Sequence, residues 1–341
     1  MIRLQNHDTC FRTYQRPRIL ARPASKPPAR TVSASFSLPS SAPSKMELLQ
    51  LEDMMPKVSS SPVHVISSSP IKADNPKLAI PHKHSVATFG AAFCHLGNDV
   101  YVSSIELAFV QMARDLPLID LVRLGFELCG GYSLSIAHDK GFFKRQAPTS
   151  MRQLQTFAEK SPGLKGRNPA LRAIWHVLSD SASPAETNLA MTLSLPYHLG
   201  GFGLPQPALY HRVKLSPAEQ NLAGKPYLKC DLYWPDRRVG VEYDSDLEHT
   251  GSARIASDAR RRNTLTLTDT TLMTVTRIQY NDFRQLSATA AALAKLLRRR
   301  LQPTCKDYEA KQRRLRDALY QSPEWEIRKA HHPLRRALSE Q

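Results

Sequence analysis

Apolar positions between residues 183 and 300 switch repeatedly between helical and strand spacing. Ser183-Pro184-Ala185-Glu186 opens a helix that runs through Leu189, Met191 and Leu193 to about Leu195. Ser183 serves as N-cap, Pro184 takes the favoured first helical position and Glu186 completes a capping box. After a Gly/Pro loop over 200–205, strands are expected at 209–214, 227–234 and 239–244. A helix from Ser252 to about Leu265 follows, then a strand over Leu272–Ile278 and a helix from Asn281 or Asp282 to Arg300. Pro235 to Arg238 form the turn of a hairpin between the second and third strands. The order α-β-β-β-α-β, with an antiparallel hairpin feeding a helical crossover to a further strand, predicts an α/β domain on a mixed sheet.

Upstream, the spacing is helical. Ser103 or Ser104 caps a helix carrying Glu106 in its first turn and Leu107, Val110 and Met112–Ala113 as its apolar stripe. Leu118 to Cys129 is a second helix, ended by Gly130-Gly131, and nearly all apolar. Met151–Glu159 and Asn168–Leu178 add short helices. Four regions result: a Ser/Pro/Arg-rich tail expected to be disordered over 1–80, a small mainly helical domain over 84–180, the α/β domain over 181–300, and a basic tail over 301–341.

The formal net charge is +17, and it is uneven. Residues 1–45 hold eight Lys/Arg against one acidic residue; residues 295–341 hold thirteen against six. Basic ends suit arms that touch polyanions, and equally suit solvated tails. Five scattered cysteines, with no CxxC pair, exclude a zinc-ribbon site and fit reduced thiols and a cytoplasmic setting. No apolar run reaches the roughly 18 residues of a membrane span, so no membrane partner is expected. The Arg- and Ser-rich start fits either an organellar transit peptide or a true start at Met46.

The candidate chemistry lies on the hairpin. With Trp234 opposite Val239, counting outward sets Asp231 opposite Glu242, where paired Cβ atoms lie roughly 4.5–5.5 Å apart. Glu242 and Asp244 share a face by strand alternation. Three carboxylates on one patch repel unless a proton or cation intervenes, and hard oxygen donors suit Mg²⁺ or Mn²⁺. The same residues read equally as the polar side of an ordinary amphipathic strand.

Asp231…Glu242-x-Asp244 resembles the PD-(D/E)XK, restriction-endonuclease-like arrangement. With His249, Asp258-x-x-Arg261, Leu265 and Val275-Thr276-Arg277, it is similar to the branch related to very-short-patch repair endonucleases. Val102 to Phe109 and Ser183 to Glu186 are similar to stretches that precede this domain in AbiEi-like regulators. Asp244 stands where the broad superfamily has Lys, as is usual in the repair-endonuclease-like branch, and Ser245-Asp246 replaces the common Gly.

The resemblance implies a restriction-endonuclease-like fold and Mg²⁺-dependent hydrolysis of DNA phosphodiester bonds. It implies that Asp231 and Glu242 ligate the metal, with Asp244 a further ligand or water holder and Glu186 aimed at the same site. His249 is implied as general base, or as acid to the leaving oxygen, and Arg261 or Arg262 as phosphate clamp. Each has a plainer reading: Glu186 as a helix cap, His249 as a surface loop residue, Asp258 and Arg262 as an i,i+4 helix pair. Two other functions stay open, a catalytically inactive DNA-binding regulator or antitoxin-type protein on the same fold, and an interaction scaffold built on the 84–180 helices.

Overall fold

The computed structural model describes residues 2–4, 63–67, 79–83, 92–97, 100–134, 138, 140–244, 264 and 268–320. His249, Asp258, Arg261, Arg262, most of the expected helix from Ser252 and the last twenty-one residues of the basic tail lie outside them. The chain divides into two compact units, residues 1–129 with 146–177 and 321–341, and residues 130–145 with 178–320.

In the first unit, strands β1 (Ile2–Leu4), β2 (Val63–Ser67), β3 (Ala79–Lys83), β4 (Phe93–Gly97) and β5 (Val100–Ser103) form one sheet in the order β3-β2-β1-β5-β4. Three of these strands lie wholly or partly within 1–80, the stretch expected to be disordered. Val63-His-Val-Ile-Ser is short but rich in β-branched residues, and its partners are remote in sequence, so no local period announces it. The helices follow the sequence closely. Helix α1 (Ile105–Met112) is capped by Ser104, whose Oγ accepts the Leu107 N–H at 3.2 Å. Helix α2 (Leu118–Leu128) is buried from Asp120 through Leu128, on every side rather than on one stripe. Gly125 lets Val177 pack against α2, since a Cβ there would meet the Val177 side chain.

The second unit opens with strands β6 (Tyr132–Leu134) and β7 (Phe142–Lys144), an antiparallel hairpin. The chain then returns to the first unit for helices α3 (Met151–Glu159) and α4 (Arg167–Ile174). Helix α5 (Pro184–Ser194) re-enters the second unit, capped by Ser183 with Pro184 in the first turn as expected. Strand β8 (Ala208–Lys214), helix α6 (Pro217–Ala223), strand β9 (Tyr227–Trp234) and strand β10 (Val239–Asp244) follow, then β11 (Thr271–Thr276). The sheet order is β11-β10-β9-β8, with β9 antiparallel to both neighbours and β10 parallel to β11. It is therefore a mixed sheet in an α/β unit. Leu232, Val241 and Val275 supply fully buried side chains.

Two boundaries move. Strand β11 ends at Thr276, and Arg277–Asn281 is a helical turn, α7, because Thr276 and Gln279 form a capping box there. Asp282 then caps helix α8 (Phe283–Leu296). Within the stretch expected to be a basic tail, Tyr308–Tyr320 is a helix, α9. It buries Gln312, Leu315 and Leu319, and the Leu319 carbonyl accepts from Asn188 Nδ2 at 3.0 Å.

Candidate functional site

The hairpin register is the expected one as far as it runs. Val239 pairs with Trp234, Gly240 with Tyr233 and Val241 with Leu232. Pro235–Arg237 make a single helical turn, and Arg238 closes it in the left-handed region at φ 49°. Trp234 is held by an Nε1–H bond to the Pro205 carbonyl at 2.7 Å. The ladder stops one pair short of Asp231 and Glu242. There the Asp231 carboxylate accepts the backbone N–H of Tyr243 at 2.9 Å. A side chain thus takes a donor at the point where the two strands part.

Glu186 lies near enough to Asp231 for their charges to act on one another. The helix start positions it: Ser183 Oγ accepts the Glu186 N–H at 3.2 Å and donates to Glu186 Oε1 at 2.9 Å, while the Ala182 N–H donates to Oε2 at 3.0 Å. The reciprocal bond of a capping box, to the N-cap N–H itself, is not the one made. Burial pushes the Glu186 carboxyl up to about 7, and the neighbouring Asp231 charge adds to the rise. The bonds from Ala182 and Ser183, and the positive charge of Lys144, pull the other way without cancelling it. Burial first, and the nearby Asp231 charge second, thus leave the Glu186 carboxyl only about half ionised near neutral pH.

The same four residues occur twice. Ser216-Pro217-Ala218-Glu219 starts α6, and there the reciprocal box does form: Glu219 Oε2 accepts the Ser216 N–H and Ser216 Oγ accepts the Glu219 N–H. Ser216, Pro217 and Ala218 ahead of Glu219 are exposed, whereas Ser183, Pro184 and Ala185 ahead of Glu186 are half-buried and the Asp231 charge acts on Glu186. One tetrapeptide is a plain cap in one place and a cap plus a charged site group in the other.

Lys144, exposed at the end of β7, carries a positive charge near enough to Glu186 to oppose the rise, though nothing in the sequence singled it out. It ends β7 directly opposite Tyr132 of β6, and directly paired residues project from the same face of a ribbon. The Tyr132 hydroxyl bonds Thr187 Oγ1 at 3.0 Å, one residue from Glu186, and Thr187 Oγ1 bonds Ser181 Oγ at 2.8 Å. The Gly131 N–H donates to the Ser181 carbonyl at 2.7 Å, fixing the hairpin to the start of α5. A single Lys in a short hairpin far upstream carries no pattern; only the fold brings its charge within range of Glu186.

Glu242 and Asp244 lie half-buried at the end of β10, paired with Thr274 and Thr276 of β11, and both are in contact with other groups. Among the described residues, no three of His, Cys, Asp and Glu gather into a metal-holding group. The donor set still suits a hard cation, because Mg²⁺ is commonly held by one or two carboxylates with water completing its shell. Glu186 and Asp231 are such a pair, and their mutual repulsion is what a divalent cation relieves. No protein-family model, curated protein or solved structure matches the chain.

Proposed function

We propose that the unit formed by residues 130–145 and 178–320 is a metal-dependent nuclease that hydrolyses phosphodiester bonds in DNA, on a restriction-endonuclease-like sheet. The observation that carries this reading is the pairing of Glu186 with Asp231 at the parting strands of the β9–β10 hairpin. The mixed sheet and the helix preceding it support the fold. Asp231 and Glu186 would hold Mg²⁺ or Mn²⁺, with Glu242 and Asp244 at the adjoining end of β10. Bound there, the cation supplies charge stabilisation at the phosphoryl group and a more acidic water.

The protein's own groups then have distinct tasks. The burial and the Asp231 charge that raise the Glu186 carboxyl are what a bound cation would offset, which suits Glu186 to ligation. Lys144 brings a positive charge to a site whose hairpin carries Asp244 where the superfamily has Lys. The Tyr243 N–H holds the Asp231 carboxylate in one orientation. His249, Arg261 and Arg262 remain proposals for the general acid or base and the phosphate clamp.

A catalytically inactive DNA-binding regulator on this fold is the second reading, and the replacement of the usual Lys by Asp244 suits either. Helix α2 is buried on every side, so it offers no exposed face to read a DNA groove. The deciding assay incubates the protein with supercoiled plasmid and single-stranded DNA in Mg²⁺, Mn²⁺ or EDTA, beside Asp231→Asn and Glu242→Ala. Metal-dependent cleavage lost in both variants is expected. Cleavage that survives both removes the site assignment, and binding without cleavage on any substrate selects the second reading.

A further inference from the structure

Strands β8 and β9 carry a row of cations and tyrosines that ends at Asp231. Arg212 is paired directly with Lys229, and Lys214 with Tyr227, so these four side chains share one face of the sheet. Val213 and Leu228, the pair between them, lie on the other face, where Leu228 is fully buried with Leu215. Along β9, exposure alternates from Tyr227 to Asp231, which puts Asp231 on the face of Lys229 and Tyr227. Lys229 Nζ sits 3.4 Å from the centre of the Tyr210 ring, and the Arg212 guanidinium 4.6 Å from that of Tyr227. The rings thus hold both cations against the sheet surface. Among the described residues, strand β8 is at the margin of the sheet.

We infer that this face is the track on which the phosphate backbone of DNA lies as it reaches the carboxylates. The charge pattern carries the inference. A polyanion is repelled by Glu186 and Asp231, and an approach to them needs neighbouring positive charge. Arg212 and Lys214 of β8 and Lys229 of β9 supply it, on the sheet face that also carries Asp231. Same-face residues on a strand recur about every 6.7 Å, a regular cation spacing suited to a backbone that repeats its own charge at fixed steps. The tyrosines add faces on which an unpaired base can stack, so a single strand is held more tightly than a duplex of equal length. The inference rests on the nuclease reading for what happens at the end of the track, but its test does not.

The test is binding in EDTA, where no cleavage occurs, of fluorescein-labelled single-stranded and duplex oligonucleotides across a series of salt concentrations. The variant Arg212→Gln/Lys214→Gln/Lys229→Gln is expected to lower the slope of log affinity against log salt by about two to three. Arg212→Lys/Lys214→Arg/Lys229→Arg is expected to keep the slope, which shows that charge rather than misfolding is responsible. Lys165→Gln/Arg172→Gln, on exposed positions of the other unit, is expected to leave it unchanged. A wild-type slope in the Gln variant overturns the track and leaves the nuclease reading intact if cleavage persists. Loss of slope together with absence of cleavage in Mg²⁺ upholds the track and removes the nuclease reading. Failure of the wild-type protein to bind either oligonucleotide at low salt overturns the track.

Discussion

Glu186 is a residue whose surroundings, more than its sequence, decide its chemistry. Its carboxyl, raised from 4.5 to about 7 by burial and by Asp231, ties stability to pH with a definite sign. A group with a raised folded-state value contributes fully below its unfolded value, and that contribution is lost as pH climbs through the folded value. The second unit is therefore expected to lose on the order of 2 kcal/mol between pH 4.5 and pH 7, after allowance for the partial exposure of the group. Glu186→Gln removes this loss and is expected to raise the melting temperature at pH 8 but not at pH 4. Carboxyl-carbon NMR reads the titration directly: Asp231→Asn should move it down, Lys144→Met up, and Mg²⁺ down. A Glu186 titration indifferent to Asp231→Asn removes the pairing on which the site depends. Ser183 as cap and Pro184 at the first turn were legible in the sequence, because capping is local. The partnership of Glu186 with Asp231 and Lys144 was suggested only by resemblance for the first and by nothing for the second. The identical Ser216–Glu219 shows why: the tetrapeptide encodes a helix start, and burial supplies the rest.

At the level of elements, the hairpin, its turn, α1, α2, α5 and the four strands of the mixed sheet follow from period and turn chemistry. What escaped were elements whose partners are distant. Helix α9 looks charged because six of its thirteen residues are; its three buried positions, Gln312, Leu315 and Leu319, make a narrow stripe that matters only against the rest of the unit. Gly200 is the clearest mark of that docking. It stands at φ 91°, and a Cβ on it would run into the Lys311 carbonyl and lie 3.0 Å from the Gln312 Cα. Tyr197, three residues earlier, adds an edge-on ring contact to Tyr308 at 5.3 Å between centroids and accepts the Gln302 N–H at 3.0 Å through its hydroxyl. Gly200→Ala meets both strain at a left-handed position and a backbone collision, so it is expected to cost about 2–4 kcal/mol. Hydrogen exchange should then quicken across 308–320 before it does across β9 and β10. Equal protection of α9 in the variant would show that the helix is not seated on that turn.

For the whole molecule, consecutive domains divided near residue 181 were the natural expectation, and the two compact units are instead interleaved along the chain. The reason is the β6–β7 hairpin, whose bonds from Gly131 to Ser181 and from Tyr132 to Thr187 belong to the second unit. A fragment beginning at 178 lacks these bonds and Lys144, although it keeps both carboxylates. It is expected to melt at least several degrees below a protein of residues 130–320 and to show a higher Glu186 titration. Equal melting of the two would make the hairpin an ornament to the site. The interleaving also sets a timetable for synthesis. Tyr132 and Lys144 leave the ribosome before α5, and Asp231 follows Lys144 by roughly 4–17 s at ordinary elongation rates. The cation of the site is thus made first and waits for the acids it will face, while the helix that docks on Gly200 arrives last.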